Sequence, residues 1–330
     1  VSRLPRTAAL VAPAAALLLL AGATPPAAGG ESAAVPVLGH WRNHHPGDNT
    51  EEPGWLWRML KAEAAYGDFD GHWRNYHPPG DPPMNGQEKL AALMGKPLHI
   101  SWRPRPEGEG WAYTASGAYD DTIDRVMRDL KRFCGADCWL SIDIEPENDV
   151  DERPGSGFTT ADFREMWHRV AESRERVGAD NVSLVWVLQG FEEWQPLYDD
   201  LWPGNDEVDV VGHDPYIRKD EAPERLAEKM ISRTSWLVEN STPEHDYAAK
   251  PFLIAEYGCD INNIGDQEAA RGTEEHRAEC IDGVRAALGE LGALGVVEME
   301  FFDARSDWIN DPPSPDGTAY DRLKRTTEAG

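Results

Sequence analysis

From residue 35 onward, short apolar runs rich in β-formers alternate with longer amphipathic stretches. The runs at 35–41, 68–73, 97–102, 139–144, 182–188, 208–213, 251–255 and 295–302 predict eight strands. The stretches 122–133, 160–177, 222–239 and 273–291 predict helices between them. Phe163, Trp167 and Val170 fall at i, i+4 and i+7, the spacing a surface helix needs to cover a sheet, and Thr160-Ala161-Asp162 supplies an N-cap for that helix. Eight strands alternating with crossovers predict an α/β fold, a (β/α)8 TIM barrel over residues 35–330. The competing architecture, an open doubly wound sheet, wants a glycine-rich turn after its first strand, and no GxGxxG follows 35–41.

One segment repeats. Gly39-His40-Trp41-Arg42-Asn43 returns as Gly71-His72-Trp73-Arg74-Asn75, with His45-Pro46-Gly47-Asp48 after the first copy and His77-Pro78-Pro79-Gly80-Asp81 after the second. The spacing is about one βα unit, so both copies are expected at the ends of successive strands, where each enters its loop.

Composition narrows the partners. The 330 residues carry 59 acidic against 32 basic side chains, a formal charge of −27. A nucleic-acid binder needs positive surface to displace counterions, so that class is excluded, and an anionic membrane surface is disfavoured for the same reason. Neutral small molecules and neutral polymers remain, and nothing in the sequence asks for more than a monomer. Residues 1–23 read as a secretory signal peptide: Arg3 and Arg6 precede an apolar run too short for a membrane anchor, and Ala21-Gly22-Ala23 closes it. Residues 24–34, rich in Pro, Ala and Gly, read as a tether. The four cysteines suit an exported protein. They allow three pairings, of which the two local ones, Cys134–Cys138 and Cys259–Cys280, are preferred; the rival for the first is half a zinc site, which no second CxxC or HxxxH completes. No cofactor or metal is implied.

In a barrel of this kind, functional side chains sit at the C-terminal ends of the strands. The fourth strand runs out through Asp143-Ile144-Glu145-Pro146-Glu147 and the seventh through Ala255-Glu256-Tyr257-Gly258. Two carboxylates facing across one mouth are the minimum equipment for glycosidic cleavage: one protonates the leaving oxygen while the other attacks or activates water. Glu256 is the stronger candidate. At the fourth strand Asp143, Glu145 and Glu147 compete, since alternation could put all three on one face. Glu145, between Ile144 and Pro146, is shielded from water, which raises a carboxyl toward the range of a general acid. Glu298 and Glu300 share a face of the eighth strand, and Glu300 could line the mouth.

The stretch from Lys250 to Gly258, KPFLIAEYG, resembles the seventh-strand nucleophile motif of glycoside hydrolase clan A, family 26 in particular. Leu201-Trp202-Pro203-Gly204 followed by Val208-Asp209-Val210-Val211-Gly212-His213-Asp214-Pro215-Tyr216 is similar to that family's sixth-strand signature. The resemblance implies Glu145 as acid/base, Glu256 as nucleophile and Tyr216 as a hydrogen-bond partner of the nucleophile. The family carries His where this chain has Ile144. It further implies a secreted retaining glycosidase acting on a neutral β-linked polysaccharide, β-1,4-mannan or glucomannan first; the alternative is a barrel that binds carbohydrate without cleaving it. No GxSxG or HExxH supports another hydrolase class.

The remaining candidates are sugar contacts. Trp41, Trp73, Trp102, Trp194 and Trp308 fall at strand ends or in the loops that follow, where flat apolar faces can stack on pyranose rings. Arg103, His77, Gln189 and Asp303 would supply hydrogen bonds there, joined by His213 and Asp214 from the sixth-strand signature. Trp57, Trp111, Trp139 and Trp167 read as packing, and His44, His45, His168, His245 and His276 as surface or capping residues.

Overall fold

The computed structural model describes residues 34–41, 71–259, 272–302 and 314–328. The proposed signal peptide, nearly all of the tether, His44, His45, Trp57, Asp303 and Trp308 lie outside these residues.

Eight strands run parallel: β1 Val37–Trp41, β2 Trp73–His77, β3 Leu98–Trp102, β4 Cys138–Ile142, β5 Val182–Leu188, β6 Val210–His213, β7 Phe252–Cys259 and β8 Val296–Phe302. Each pairs with its successor, and β8 returns to β1 through Val37↔Glu298 to Trp41↔Phe302, so the sheet closes into a (β/α)8 barrel. The crossover helices are α1 Gly86–Leu93, α2 Trp111–Ala115, α3 Asp120–Phe133, α4 Thr160–Val177, α5 Tyr198–Leu201, α6 Arg225–Glu239, α7 Glu274–Ala293 and α8 Pro315–Glu328. Helix α4 is capped one residue earlier than expected. Thr159 accepts from the Asp162 amide while the Asp162 carboxylate accepts from Thr159, a reciprocal box that satisfies two otherwise orphaned N–H groups.

Alternation sorts the strand residues into two buried layers. Leu140, Ile142, Leu184, Trp186 and Val211 point outward into the large core under the helices, which also takes Trp111 and Trp167. Trp139, Val185, Val187, Val210, Leu253 and Ala255 point into the barrel and pack there with Ile144.

The second strand differs from its expected place, and so does the repeat. The copy beginning at Gly39 ends β1, but the copy beginning at Gly71 starts β2, since Trp73 pairs with His40 and Arg74 with Trp41. Hydropathy placed this strand too early because its own residues, Trp73-Arg74-Asn75-Tyr76-His77, are mostly polar yet buried. The two glycines of the repeat have one cause. A Cβ at Gly71 would lie 2.6 Å from the Glu298 carboxylate, and one at Gly39 would run into the same oxygen. Glu298 accepts from the His72 amide at 2.6 Å and lies 2.8 Å from His72 Nδ1, while the His72 ring stacks on Trp139 at 4.0 Å. Burial depresses the imidazole, but Glu298 and Asp137 outweigh it and hold His72 up at about 10. A charged pair therefore lies among the strands near their N-terminal ends, and both glycines make room for it.

Both local disulfides form, Cys134–Cys138 and Cys259–Cys280, so no free thiols remain at the proposed half zinc site. Cys259–Cys280 ties the end of β7 to α7 across 21 residues. The chain-entropy cost it removes from the unfolded state is worth about 3 kcal/mol for a loop of that size. Replacing both cysteines by serine should lower the urea midpoint and raise the denaturant slope, because the released unfolded chain exposes more surface.

Candidate active site

Glu256 hangs from β7 because that strand is irregular. Between Ile254 and Tyr257 its register against β8 shifts, so Glu256 joins the inward side next to Ala255 while Tyr257 returns to the outer core. Such irregularities re-aim one side chain without moving the strand. Glu256 is 6% exposed and accepts a hydrogen bond from Tyr216 Oη at 2.5 Å. Tyr216 is placed by a two-residue pairing of Tyr216–Ile217 with Gly258 and Cys259, just beyond β6. Beneath Glu256 lies Arg74, fully buried, with Nη2 3.6 Å from the carboxylate and Nη1 donating to the Ala255 carbonyl.

Arg74 stands at the top of a buried polar column. Its Nε donates to Ser101 Oγ at 2.7 Å, and Nη1 lies 3.5 Å from Glu300. Glu300 in turn meets His99 Nδ1 at 2.6 Å, and His99 Nε2 meets Ser141 Oγ at 2.5 Å. Burial lifts Glu300 well above the usual carboxylate range and drops His99 well below that of an imidazole. Burial thus works against charge on both Glu300 and His99 despite their salt-bridge distance, while the Arg74 guanidinium stays protonated and faces Glu256. Glu300 is wholly buried in the barrel, not at its mouth.

Asp214 is the second carboxyl beside Glu256. Burial pushes both upward, with Glu256 reaching about 8 and Asp214 driven well above its ordinary value; the charge of Glu256 adds to the effect on Asp214, and that of Glu145 to the effect on Glu256. Arg74, the Tyr216 hydroxyl and a hydrogen bond with Asp214 pull Glu256 back down. Of the pair, Glu256 is the first to ionise, as pH rises toward about 8, while Asp214 keeps its proton.

At β4 the competition among three acids is settled by backbone geometry. Asp143 and Glu145 both adopt positive φ, 42° and 53°, which breaks the alternation that would have put them on one face with Glu147. Asp143 is fully buried and turns sideways, accepting from Trp111 Nε1 at 2.9 Å and lying 3.3 and 3.4 Å from Arg103 and Arg105. Ile144 points inward and joins the barrel cluster. Glu147 is buried against the amides after β5. Only Glu145 is left at the rim, partly exposed, with Asn148 Nδ2 donating to its carboxylate at 3.2 Å. Burial raises it above the ordinary range, against the pull of Arg103 and Arg74, as its apolar flanks predict. Left-handed backbone at a non-glycine residue costs about 1 kcal/mol and is held only where the surroundings enforce it.

Four of the other expected contacts face away from the mouth, and alternation explains each. On β3, His99 and Ser101 point inward, so Trp102 points out and is 1% exposed against Tyr119. On β2, Arg74 and Tyr76 point inward, which sends His77 out to α1, 2.5 Å from Glu88 and 3.3 Å from Asp81. On β6, His213 points out and meets Thr234 of α6 at 2.9 Å. Trp73 is likewise buried in the outer core. Arg103 does reach the rim, one-quarter exposed and 3.2 Å from Asp149. Gln189 and Trp194 lie half-buried on the loop after β5, Trp194 packed against the outer core. Arg74 and Tyr76 are the site residues the sequence did not single out. Arg74 stood within the repeat, and correct placement of β2 would have turned both inward.

Among the described residues, no cluster of three His, Cys, Asp or Glu side chains is arranged to hold a metal ion, and no helix is long and apolar enough to cross a membrane. The barrel mouth thus presents two carboxyls raised by burial, one at the rim and one whose ionised form is backed by a guanidinium and a phenol: paired groups for acid–base and nucleophilic chemistry.

No protein-family model and no curated sequence matches the chain. Solved structures do. The family 26 domain of an endo-β-mannanase/endo-β-glucanase from Prevotella bryantii aligns over 88% of both chains at 13% identity with a TM-score of 0.55. A family 26 β-mannanase from Bacteroides ovatus aligns over 89% of both at 12% identity and 0.57. A family 53 catalytic domain from Ignisphaera aggregans covers 89% of this chain and 96% of its own at 13% identity and 0.55. The likeness at this identity is one of fold, and the chain resembles family 26 in its barrel as well as in its sixth- and seventh-strand motifs.

Proposed function

We propose that this protein is an exported, retaining glycoside hydrolase of a neutral β-linked polysaccharide, with Glu145 as acid/base and Glu256 as nucleophile. The observation that carries the proposal is the unequal treatment of the two carboxyls. Burial raises both, but Glu145 stands at the rim with only Asn148 donating to it, while Glu256 is set against Arg74 and the Tyr216 hydroxyl, which favour its ionised form. In the first step the Glu256 carboxylate forms a bond to the anomeric carbon as the glycosidic C–O bond breaks, and the Glu145 proton goes to the departing oxygen. In the second, Glu145 takes a proton from water, whose oxygen displaces Glu256. The similar solved structures include β-mannanases, which puts β-1,4-mannan and glucomannan first, with xylan and mixed-linkage glucan next.

The test is a screen of purified protein against mannan, glucomannan, xylan, lichenan and laminarin, with the anomeric configuration of fresh product read by proton NMR. Product of retained configuration from one polymer is expected, and an inverted product would overturn the mechanism. A second reading, a barrel that binds carbohydrate without cleaving it, is favoured by Ile144, an apolar plug next to the acid where the family carries His. It predicts oligosaccharide binding with no product after long incubation.

A further inference from the structure

The mechanism above leaves one buried carboxyl beside the site without a task. Glu147, 1% exposed, lies two residues beyond Glu145 in the single turn Pro146–Asn148. Its Oε1 accepts from the Gln189 amide at 2.7 Å and the Gly190 amide at 3.3 Å, so it fastens the β4 loop to the β5 loop. That second loop is itself anchored. Arg233 of α6 donates from Nη1 to the carbonyls of both Gln189 and Asp214 at 3.1 Å, joining the loops after β5 and β6. Gly190, at φ 80°, lets Arg233 approach: a Cβ there would meet the Arg233 chain at 3.0 Å. The left-handed backbone of Glu145 is held on one side by its amide donating to the Val187 carbonyl at 2.9 Å, and on the other by the Glu147 anchor. Glu256 hangs from β7 and shares none of these fastenings.

We propose that Glu147 is the positioning residue for the general acid: its clasp on the Gln189 and Gly190 amides keeps the Glu145 turn in its left-handed form and so holds the acid over the leaving oxygen. The inference rests on the assignment of Glu145 above. It needs an acceptor at Oε1 and no charge. Burial, with the charge of Glu145 adding to it, pushes Glu147 up to about 8, so near neutrality it is the neutral acid, which a glutamine copies in shape.

Leaving-group dependence separates this role from general support of the fold. With the sugar identified by the polymer screen, kcat/KM, which reports only the first chemical step, is measured on an oligosaccharide and on the corresponding 2,4-dinitrophenyl glycoside, whose leaving group departs without a proton. Glu147→Ala should lower kcat/KM on the oligosaccharide roughly 10²-fold or more, the scale of a displaced general acid. The dinitrophenyl substrate should change by less than about threefold, and Glu147→Gln should restore the oligosaccharide reaction to within about threefold of the unmodified protein. Glu147→Asp, one methylene short of the two amides, makes the same comparison if the alanine variant does not fold. Equal losses on both substrates, or no recovery with glutamine, would overturn the role of Glu147 and leave the glycosidase assignment standing. Absence of turnover by the unmodified protein on every substrate would overturn that assignment, and this inference with it.

Discussion

Glu256→Ala should abolish turnover while the barrel stays folded. Removal of a covalent nucleophile costs on the order of 10⁴–10⁶-fold in kcat. The change strands the buried Arg74 charge and so costs stability, but Arg74 keeps its contacts with Ser101 and the Ala255 carbonyl, and Glu300, 3.5 Å away, can ionise in place of Glu256, so the barrel should stay folded. The variant also leaves a space the size of a carboxylate beside Arg74 and Tyr216. Azide should enter it and attack the anomeric carbon once, forming a C–N bond as the glycosidic bond breaks and Glu145 protonates the leaving oxygen. The product would be a glycosyl azide of inverted configuration, read by NMR and mass spectrometry. Unchanged hydrolysis by this variant would remove Glu256 from the mechanism.

Arg74→Met should have the largest effect on stability and should also move the pH profile. Arg74 is the charge in the column that Glu256 faces, 3.6 Å from its carboxylate, and burial works against charge on Glu300 and His99 below it. Removing one member of a buried pair strands the other, a loss of about 3–5 kcal/mol when the survivor must stay charged. The survivor here can take up a proton, so the deficit in urea denaturation should be largest at alkaline pH and shrink as pH falls through the range where Glu256 protonates. The same shift has a kinetic face. Arg74 favours the ionised form of Glu256, so without it the carboxyl ionises at higher pH and the acid limb of kcat/KM moves in the alkaline direction. An unmoved acid limb with a normal fold would show that Arg74 does not set the charge of the nucleophile.

The two halves of the site differ in how much of them the sequence exposes. Glu256 and Tyr216 stand in local stretches where an apolar strand stops, and a family resemblance covers both. Glu145 was one of three adjacent acids, and choosing among them depends on two positive φ angles and on partners far along the chain: Arg103 and Arg105 for Asp143, Gln189 and Gly190 for Glu147. The expected sugar contacts His77, Trp102 and His213 share one physical reason for their misplacement. A position at the C-terminal end of a strand does not fix which side of the sheet the residue faces, and β2, β3 and β6 turn these three toward the helices.

The sequence by itself determined seven of the eight strands in order, the closed α/β class and the local pairing of the cysteines. Each of these follows from patterns a few residues long: the period of apolar positions, the lengths of the runs and the spacing of four thiols. Tertiary structure alone decided the polar interior. Arg74, His99, Ser141, Glu298 and Glu300 are polar in sequence, yet they lie buried within the barrel, and they are tolerated there because each finds a partner from another part of the chain. A buried charge or hydrogen-bonding group is stable only when paired, and those pairings span 27 to 226 residues of chain. No local pattern encodes such a pairing, which is why β2, the strand that carries Arg74 under the nucleophile, became visible only once the barrel had closed around it.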